Sequence, residues 1–156
     1  QFRQKTLAHT IAHILQETGV AAADIELEMT ESLLMENSDE VAENLRQIGD
    51  MGLGIAIDDF GTGYSSLSYL KRFTISTLKI DRSFVMDIAS DPDDAAIVTA
   101  IIALAHSLQM QVIAEGVEDQ AQVDFLRQHG CDLYQGAFFS QALRPEDMLA
   151  RLQRPA

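Results

Sequence analysis

Short apolar segments alternate with helical patterns along the chain, and this alternation limits the fold more than any other feature of the sequence. Five segments are rich in apolar and β-branched residues and end in polar groups, as the strands of an α/β sheet do. They cover residues 25–30, 53–58, 77–81, 111–115 and 132–135. Because a helical stretch separates each strand from the next, the connections are crossovers, and the strands are expected to pair in parallel.

Helical patterns fill the intervals between these strands. The clearest covers residues 93–109, where Asp91 or Asp93 can cap the start and apolar residues recur on one face. Further helices are predicted over residues 6–18, 39–51 and 120–129, from Pro145 onward, and after a glycine-containing loop over residues 59–67. The predicted order is therefore one helix followed by five βα units.

Two parallel folds fit this order. Five βα units in a chain of 156 residues suit a doubly wound, five-stranded sheet. A (β/α)8 barrel needs about 250 residues, so this chain would supply about five of its eight units. Length alone favours the doubly wound sheet, whereas the residues at the strand ends favour the incomplete barrel.

Composition excludes several classes of function. The net charge is −13, from 24 acidic and 11 basic residues, so a nucleic-acid polymer is not an expected partner. No apolar run approaches the ~18 residues of a membrane span, and no direct membrane contact is expected. The single cysteine, Cys131, excludes an intramolecular disulfide and is expected to be buried. These features predict a cytoplasmic segment, which other domains of a longer protein could anchor to a membrane.

Polar residues gather at the carboxyl ends of the predicted strands, where parallel α/β folds carry their chemistry. Several carboxylates within a few ångströms cannot all ionise without a cation, and oxygen ligands favour Mg²⁺ or Mn²⁺ over Zn²⁺. Two such ions at roughly 3.5–4 Å would form a clamp for in-line attack on a phosphate ester, with Lys79 near the attacking water. The residues at these ends are Glu28, Glu31, Asp58, Asp59, Lys79, Asp81, Glu115, Glu118 and Gln135.

The adjacent acids Asp58 and Asp59 are the strongest single signal, because they directly follow an apolar run. Any other acid at a strand end is equally well interpreted as a solvated terminus. The loop that follows the pair lacks the lysine of a Walker loop and is interpreted as a mobile segment beside the acids. It begins with Phe60, Gly61, Thr62 and Gly63.

Five motifs together resemble one bacterial family. In this order and spacing they are similar to the C-terminal two-thirds of an EAL domain, the phosphodiesterase that hydrolyses cyclic di-GMP. The resemblance runs from residue 1 to about residue 150. The motifs are Glu-Met-Thr-Glu at 28–31, Asp-Asp-Phe-Gly-Thr-Gly-Tyr-Ser-Ser-Leu at 58–67, Lys-Ile-Asp-Arg-Ser-Phe-Val at 79–85, Ala-Glu-Gly-Val-Glu at 114–118 and Gln-Gly-Ala-Phe-Phe-Ser at 135–140.

The resemblance implies a (β/α)8 barrel and two-metal hydrolysis of cyclic di-GMP to linear pGpG, with Mg²⁺ or Mn²⁺. It implies dimers in which the loop after Asp59 lies near the interface. By position, it implies metal ligation by Glu28, Asp58, Asp59 and Glu115, with Glu115 alternatively a general base. It further implies that Lys79 lies near the nucleophilic water and that Glu118 and Gln135 occupy supporting positions in the active site. It also implies that Glu31 anchors the mobile loop.

Two parts of the family pattern are not in the sequence: the Glu-Ala-Leu strand and an Asn metal ligand on the strand after it. Residues 1–156 are therefore predicted to be a partial EAL domain, completed by an upstream segment or paired in a homodimer. The chain does not begin with Met, which fits a piece of a longer protein. By itself it is predicted to have weak activity or none. Gln141 and Ala142 stand where the family usually has Lys-Pro.

Two other functions fit the same residues. A regulatory module would hold cyclic di-GMP without cleaving it. Replacement of the upstream Glu-Ala-Leu or Asn motif would favour this interpretation. A doubly wound domain with incidental acids would bind neither divalent cations nor the nucleotide. The intact acids at the strand ends favour the enzyme over both.

Overall fold

The computed structural model describes residues 1–35, 38–63, 70 and 73–153. The strands are β1 (Glu26–Thr30), β2 (Gly54–Phe60), β3 (Thr77–Ile80), β4 (Gln111–Ala114) and β5 (Leu133–Tyr134). The helices are α1 (Leu7–Thr18), α2 (Glu31–Met35), α3 (Asp39–Asp50), α4 (Arg82–Val85), α5 (Pro92–Ser107), α6 (Gln120–Gln128) and α7 (Pro145–Leu152), with a 3-10 turn at Ala22–Asp24.

The five predicted strands are all present, and so are the five helices whose limits the sequence predicts. The short helices α2 and α4 are additional to that prediction. The helix expected after the loop over 59–67 falls largely on residues 64–69, 71 and 72, which lie outside the described residues. Polar side-chain caps explain where α3, α5 and α6 begin. At the start of α5, for example, Asp91 accepts a hydrogen bond from Asp93 N at 2.8 Å.

The strand order decides between the two candidate folds. The sheet runs β1-β2-β3-β4-β5, and every neighbouring pair is parallel. A doubly wound sheet reverses its direction of growth at a switch point, which places helices on both faces. Here each strand adds to the same side of the one before it, and right-handed crossovers then put all helices on one face. The doubly wound alternative is therefore wrong, and the order is that of a barrel segment.

The two faces of the sheet have opposite chemistry. Side chains alternate along each strand, and paired residues of parallel neighbours point the same way. The face under the helices is apolar and belongs to one continuous core, with Met29, Ile55, Ile57, Leu78, Ile80, Val112 and Ala114. The opposite face is mostly polar at its carboxyl end, with Glu28, Asp58, Lys79 and, just past β4, Glu115. The helix layer therefore supplies stability, and the other face is free to carry chemistry.

Cys131 is buried, as expected, and burial raises the pKa of its thiol to about 11. A thiol with that pKa is protonated at neutral pH and acts as a small apolar side chain. Within the described part of the chain, every helix is too short or too polar to span a bilayer.

The packing predicts a large difference between two isoleucines when each is replaced by alanine. Ile80 on β3 is 0% exposed, whereas Ile14 on α1 is 50% exposed. Ile80→Ala is expected to lower the free energy of unfolding by about 2–5 kcal/mol, because it leaves a cavity beneath the helices. Ile14→Ala is expected to cost less than about 1 kcal/mol. Urea denaturation of both variants measures this, and equal losses would contradict the placement of Ile80 in the core and of Ile14 at the surface.

Candidate active site

A bulge in β2 brings two adjacent acids to the carboxyl edge of the sheet. Ile57 pairs with Leu78 and Phe60 pairs with Ile80, so two residues of β2 occupy the space of one on β3. Asp59 supplies the extra residue and has a φ of 55°. Without the bulge, alternation would turn Asp59 toward the helix layer. The bulge instead gives that apolar position to Phe60, which is buried.

Lys79 lies at the centre of the site. Its Nζ is 2.8 Å from Glu28 Oε1, 3.0 Å from Asp58 Oδ1 and 2.7 Å from Glu115 Oε1. These carboxylates come from β1, β2 and the residue after β4, so acidic side chains from three separate segments surround one ammonium. The Lys79 side chain is 6% exposed. We call Glu28, Asp58, Lys79 and Glu115 the carboxylate–lysine cluster.

Lys79 is charged in this setting. Burial disfavours the ammonium form, but hydrogen bonds to Glu115, Glu28 and Asp58 outweigh burial and raise the pKa of Lys79 above its ordinary value. A permanently protonated lysine cannot act as a general base. It can donate hydrogen bonds to an anionic oxygen and offset part of the charge of three carboxylates.

Asp59 faces a different neighbour from Asp58. Burial, together with the negative charges of Asp58 and Asp81, raises the pKa of Asp59. Asp81 caps α4 and accepts a hydrogen bond from Ser83 N at 2.9 Å. Hydrogen bonds from Ser83 lower the pKa of Asp81. Asp59 thus lies beside the carboxylate–lysine cluster, at the Asp81 side of the same edge.

Polar partners outside the carboxylate–lysine cluster also hold Glu115 and Glu118. Gln135 Nε2 donates to Glu115 Oε1 at 2.8 Å, which connects β5 to the cluster. Arg82 pairs with Glu118 Oε1 at 2.6 Å. Arg82 belongs to the motif at residues 79–85, but the sequence pattern indicates no role for it, and only the tertiary structure places it next to Glu118.

Glu31 holds the loop that follows the acid pair. Its Oε2 accepts hydrogen bonds from Gly61 N at 3.1 Å and Gly63 N at 3.3 Å, and its side chain is buried. Thr62 Oγ1 donates to Asp59 O at 2.8 Å, which closes the turn. The structure therefore places Glu31 against the loop, and Phe60 anchors the start of that loop in the core.

A cavity of about 650 Å³ lies beside the cluster. Its walls include two guanidinium groups, Arg82 and Arg151, together with Glu115, Gln135 and the aromatic ring of Phe139. Arg151 donates to Phe139 O at 2.7 Å, so α7 holds the loop after β5 in place. Positive and aromatic groups beside an acidic edge suit a ligand that carries phosphates and bases.

The donor set fits a hard divalent cation, but the described side chains do not complete a site. No group of three or more Asp, Glu, His or Cys side chains within the described ranges is close enough to hold a metal ion. The reason is geometric, because the Lys79 ammonium lies among Glu28, Asp58 and Glu115. Carboxylate oxygens at this edge remain the ligands that Mg²⁺ and Mn²⁺ prefer.

Known proteins are similar to this chain in sequence and in fold. The family model of the EAL domain matches residues 1–142. The cyclic di-GMP phosphodiesterase NbdA of Pseudomonas aeruginosa is 47% identical over 138 residues, which cover 88% of this chain and 18% of NbdA. The chain thus spans about a fifth of the length of the curated relatives it matches.

Two solved structures are similar over most of the chain. The c-di-GMP complex of the PaMucR phosphodiesterase has a TM-score of 0.90 and 44% identity, covering 94% of this chain and 60% of that one. The manganese and c-di-GMP complex of Klebsiella pneumoniae BlrP1 has a TM-score of 0.79 and 33% identity, covering 85% of this chain and 34% of that one. The five-stranded sheet matches EAL TIM-barrel structures over most of its length.

The carboxylate–lysine cluster predicts a pH-dependent loss of stability when the Lys79 ammonium is replaced by an uncharged side chain. In Lys79→Met, three carboxylates repel one another, and the folded state is expected to lose about 3 kcal/mol at pH 8 in EDTA. The folded variant then takes up protons on these carboxylates more readily than the unfolded chain does. Its deficit relative to the wild type should therefore shrink as the pH falls from 8 to 5.

Urea denaturation of both proteins at the two pH values checks this expectation. A deficit that is the same at pH 5 and pH 8 would show that Lys79 does not offset the charge of the neighbouring carboxylates.

Proposed function

The chain belongs to the EAL domain family, and we propose that it forms part of a phosphodiesterase domain that hydrolyses cyclic di-GMP to linear pGpG. The observation that carries the proposal is the convergence of Glu28, Asp58 and Glu115 on the buried Lys79. A surface that only bound an apolar or neutral ligand would have no reason to concentrate these charges. Relatives that are similar over most of this chain are named as phosphodiesterases, which supports the same reaction.

We propose that the site takes Mg²⁺ or Mn²⁺, two ions when complete. Glu28, Asp58, Asp59 and Glu115 are the proposed ligands from this chain, and the manganese complex of BlrP1 supports the choice of metal. Bound ions would lower the pKa of a water molecule and polarise the phosphodiester. Since the described residues supply an incomplete site, the remaining ligands are proposed to come from the upstream part of the domain, where the family has its Glu-Ala-Leu and Asn motifs.

The side chains of the cluster divide the work in this proposal. The Lys79 ammonium donates a hydrogen bond to the attacking oxygen or to a phosphoryl oxygen, where negative charge develops. Glu115, oriented by Gln135, either ligates metal or accepts the proton of the nucleophile as a general base. Glu118 supports this edge through Arg82, and Glu31 fixes the loop after Asp59.

The cavity supports cyclic di-GMP as the ligand class. This molecule carries two phosphates and two guanine bases. Arg82 and Arg151 can offset phosphate charge in an otherwise acidic protein, and Phe139 offers a ring edge or face to a base. Gln141 and Ala142, at the positions where the family usually has Lys-Pro, also line the cavity and are proposed to alter contact with one guanine.

The open sheet supports the proposal that residues 1–156 are a partial domain. Among the described residues, β1 pairs with β2 alone and β5 with β4 alone, so two strand edges are left for other partners. We propose that an upstream segment completes the barrel, with a homodimer as the other arrangement. The chain without that segment is expected to be weakly active or inactive.

The function is tested by turnover of cyclic di-GMP in the parent protein that contains this chain and its upstream segment. With Mn²⁺, the wild type is expected to release pGpG, and EDTA should abolish the reaction until Mn²⁺ is restored. Glu28→Gln is expected to reduce kcat/KM by at least about 100-fold, because it removes one proposed ligand charge. Glu40→Gln, an exposed carboxylate on α3, is the matched control and should leave turnover unchanged.

Three results would count against the proposal in distinct ways. Nucleotide binding without turnover in the wild type would favour the receptor module. Normal turnover by Glu28→Gln would show that the reaction does not need Glu28 as a metal ligand. Turnover by the isolated 156-residue chain at the rate of the parent would overturn the need for upstream ligands.

A further inference from the structure

The loop between β4 and α6 is held by a side chain at the point where it presents Glu118. The loop covers residues 115–119 and also carries Glu115 at its start. Glu118 N and Asp119 N both donate to the side-chain oxygen Oε1 of Gln122, at 2.6 and 3.2 Å. The position of Glu118 is therefore set by an amide on α6 rather than by pairing within the sheet.

The other end of the same amide reaches the preceding connection. Gln122 Nε2 donates to Met86 O at 3.0 Å, and Gln122 is 3% exposed. Met86 follows α4, and the first residue of α4 is Arg82, the partner of Glu118. One buried side chain thus connects the segment after β3 with the segment after β4.

The two segments are already packed without spare room. A Cβ built on Gly116 would lie 2.3 Å from Arg82 Cγ, so the Arg82 side chain passes directly over the loop. Gly116 also has a φ of 71°, a conformation that favours glycine. A small shift of the loop would therefore change both the Arg82–Glu118 pair and the direction of Glu115.

Few side chains other than glutamine satisfy all three backbone groups. Two backbone N–H groups need an acceptor, and the Met86 carbonyl needs a donor. A carboxylate at position 122 would keep the acceptor but put negative charge against that carbonyl. An apolar side chain would leave these three partly buried backbone groups without their hydrogen bonds.

We propose that Gln122 is a positioning residue for the hydrolysis. It sets the spacing between Arg82 and the loop that carries Glu115 and Glu118, and thereby the direction in which these carboxylates meet the substrate. The proposal rests on the phosphodiesterase function proposed above. Gln122 does not line the cavity beside the cluster as described, so its effect passes through the loop rather than through contact with the ligand.

The test is Gln122→Glu in the parent protein that contains the complete domain. The kcat for cyclic di-GMP is expected to fall by about 10- to 100-fold, as for other residues that orient metal-site ligands. The KM should change much less, because the part of the cavity wall that comes from residues 135–151 is not held by Gln122. Hydrogen exchange at the Glu118 and Asp119 amides should become faster, because repulsion between the new carboxylate and the Met86 carbonyl moves the acceptor away from them.

Leu126→Ala is the matched control, since Leu126 lies on the same helix and is fully buried in the apolar core. It should lower the melting temperature at least as much as Gln122→Glu while keeping kcat near the wild-type value. Equal losses of kcat in the two variants at comparable stability would overturn the proposal and leave Gln122 a purely structural role.

Hydrogen exchange in the wild type covers the case in which Gln122→Glu does not fold. Slow exchange at the Glu118 and Asp119 amides supports the proposal that Gln122 holds the loop through these hydrogen bonds. Exchange as fast as at an exposed amide overturns the proposal. An inactive wild type would instead overturn the phosphodiesterase function, and the exchange rates would still decide whether Gln122 holds the loop.

Discussion

The buried ammonium of Lys79 is the interaction on which the site depends. Three carboxylates from separate strands lie within 3.0 Å of it, and without a cation they would repel one another. The same contacts favour the charged lysine despite its burial. The cluster is therefore mutually supporting: the carboxylates keep Lys79 protonated, and Lys79 keeps them together at one edge of the sheet.

Everything around the cluster controls where charged groups point. The bulge in β2 places Asp58 toward Lys79 and Asp59 toward Asp81, while Phe60 returns to the core. Glu31 fixes the following loop through two backbone N–H groups. On the other side, the amide of Gln122 holds the loop that carries Glu118. The rigid part of the site is thus built from backbone hydrogen bonds to buried side chains, which hold their geometry better than exposed pairs do.

The sheet is covered by helices on one face only, and this explains how a chain of this size can support such a site. The helix-covered face provides a continuous apolar core, and the other face carries polar groups that a two-sided helix layer would have buried. This division follows from sequential strand order with right-handed crossovers. It also explains the exposed apolar side chains near β5 and α7, such as Leu133, Leu149 and Leu152, which lie toward the open end of the sheet.

The sequence by itself determined the five strands, the long helices and the acids at the strand ends, because periodicity and capping are local properties. It left the choice between a doubly wound sheet and a barrel segment open on physical grounds, since length favoured one and the strand ends the other. Only the tertiary structure decided this through strand order, which depends on contacts between distant segments. It also decided that the Lys79 ammonium pairs with Glu28, Asp58 and Glu115 together, and that Gln122 joins two loops. Those facts depend on the direction of side chains after packing, which no spacing along the chain encodes.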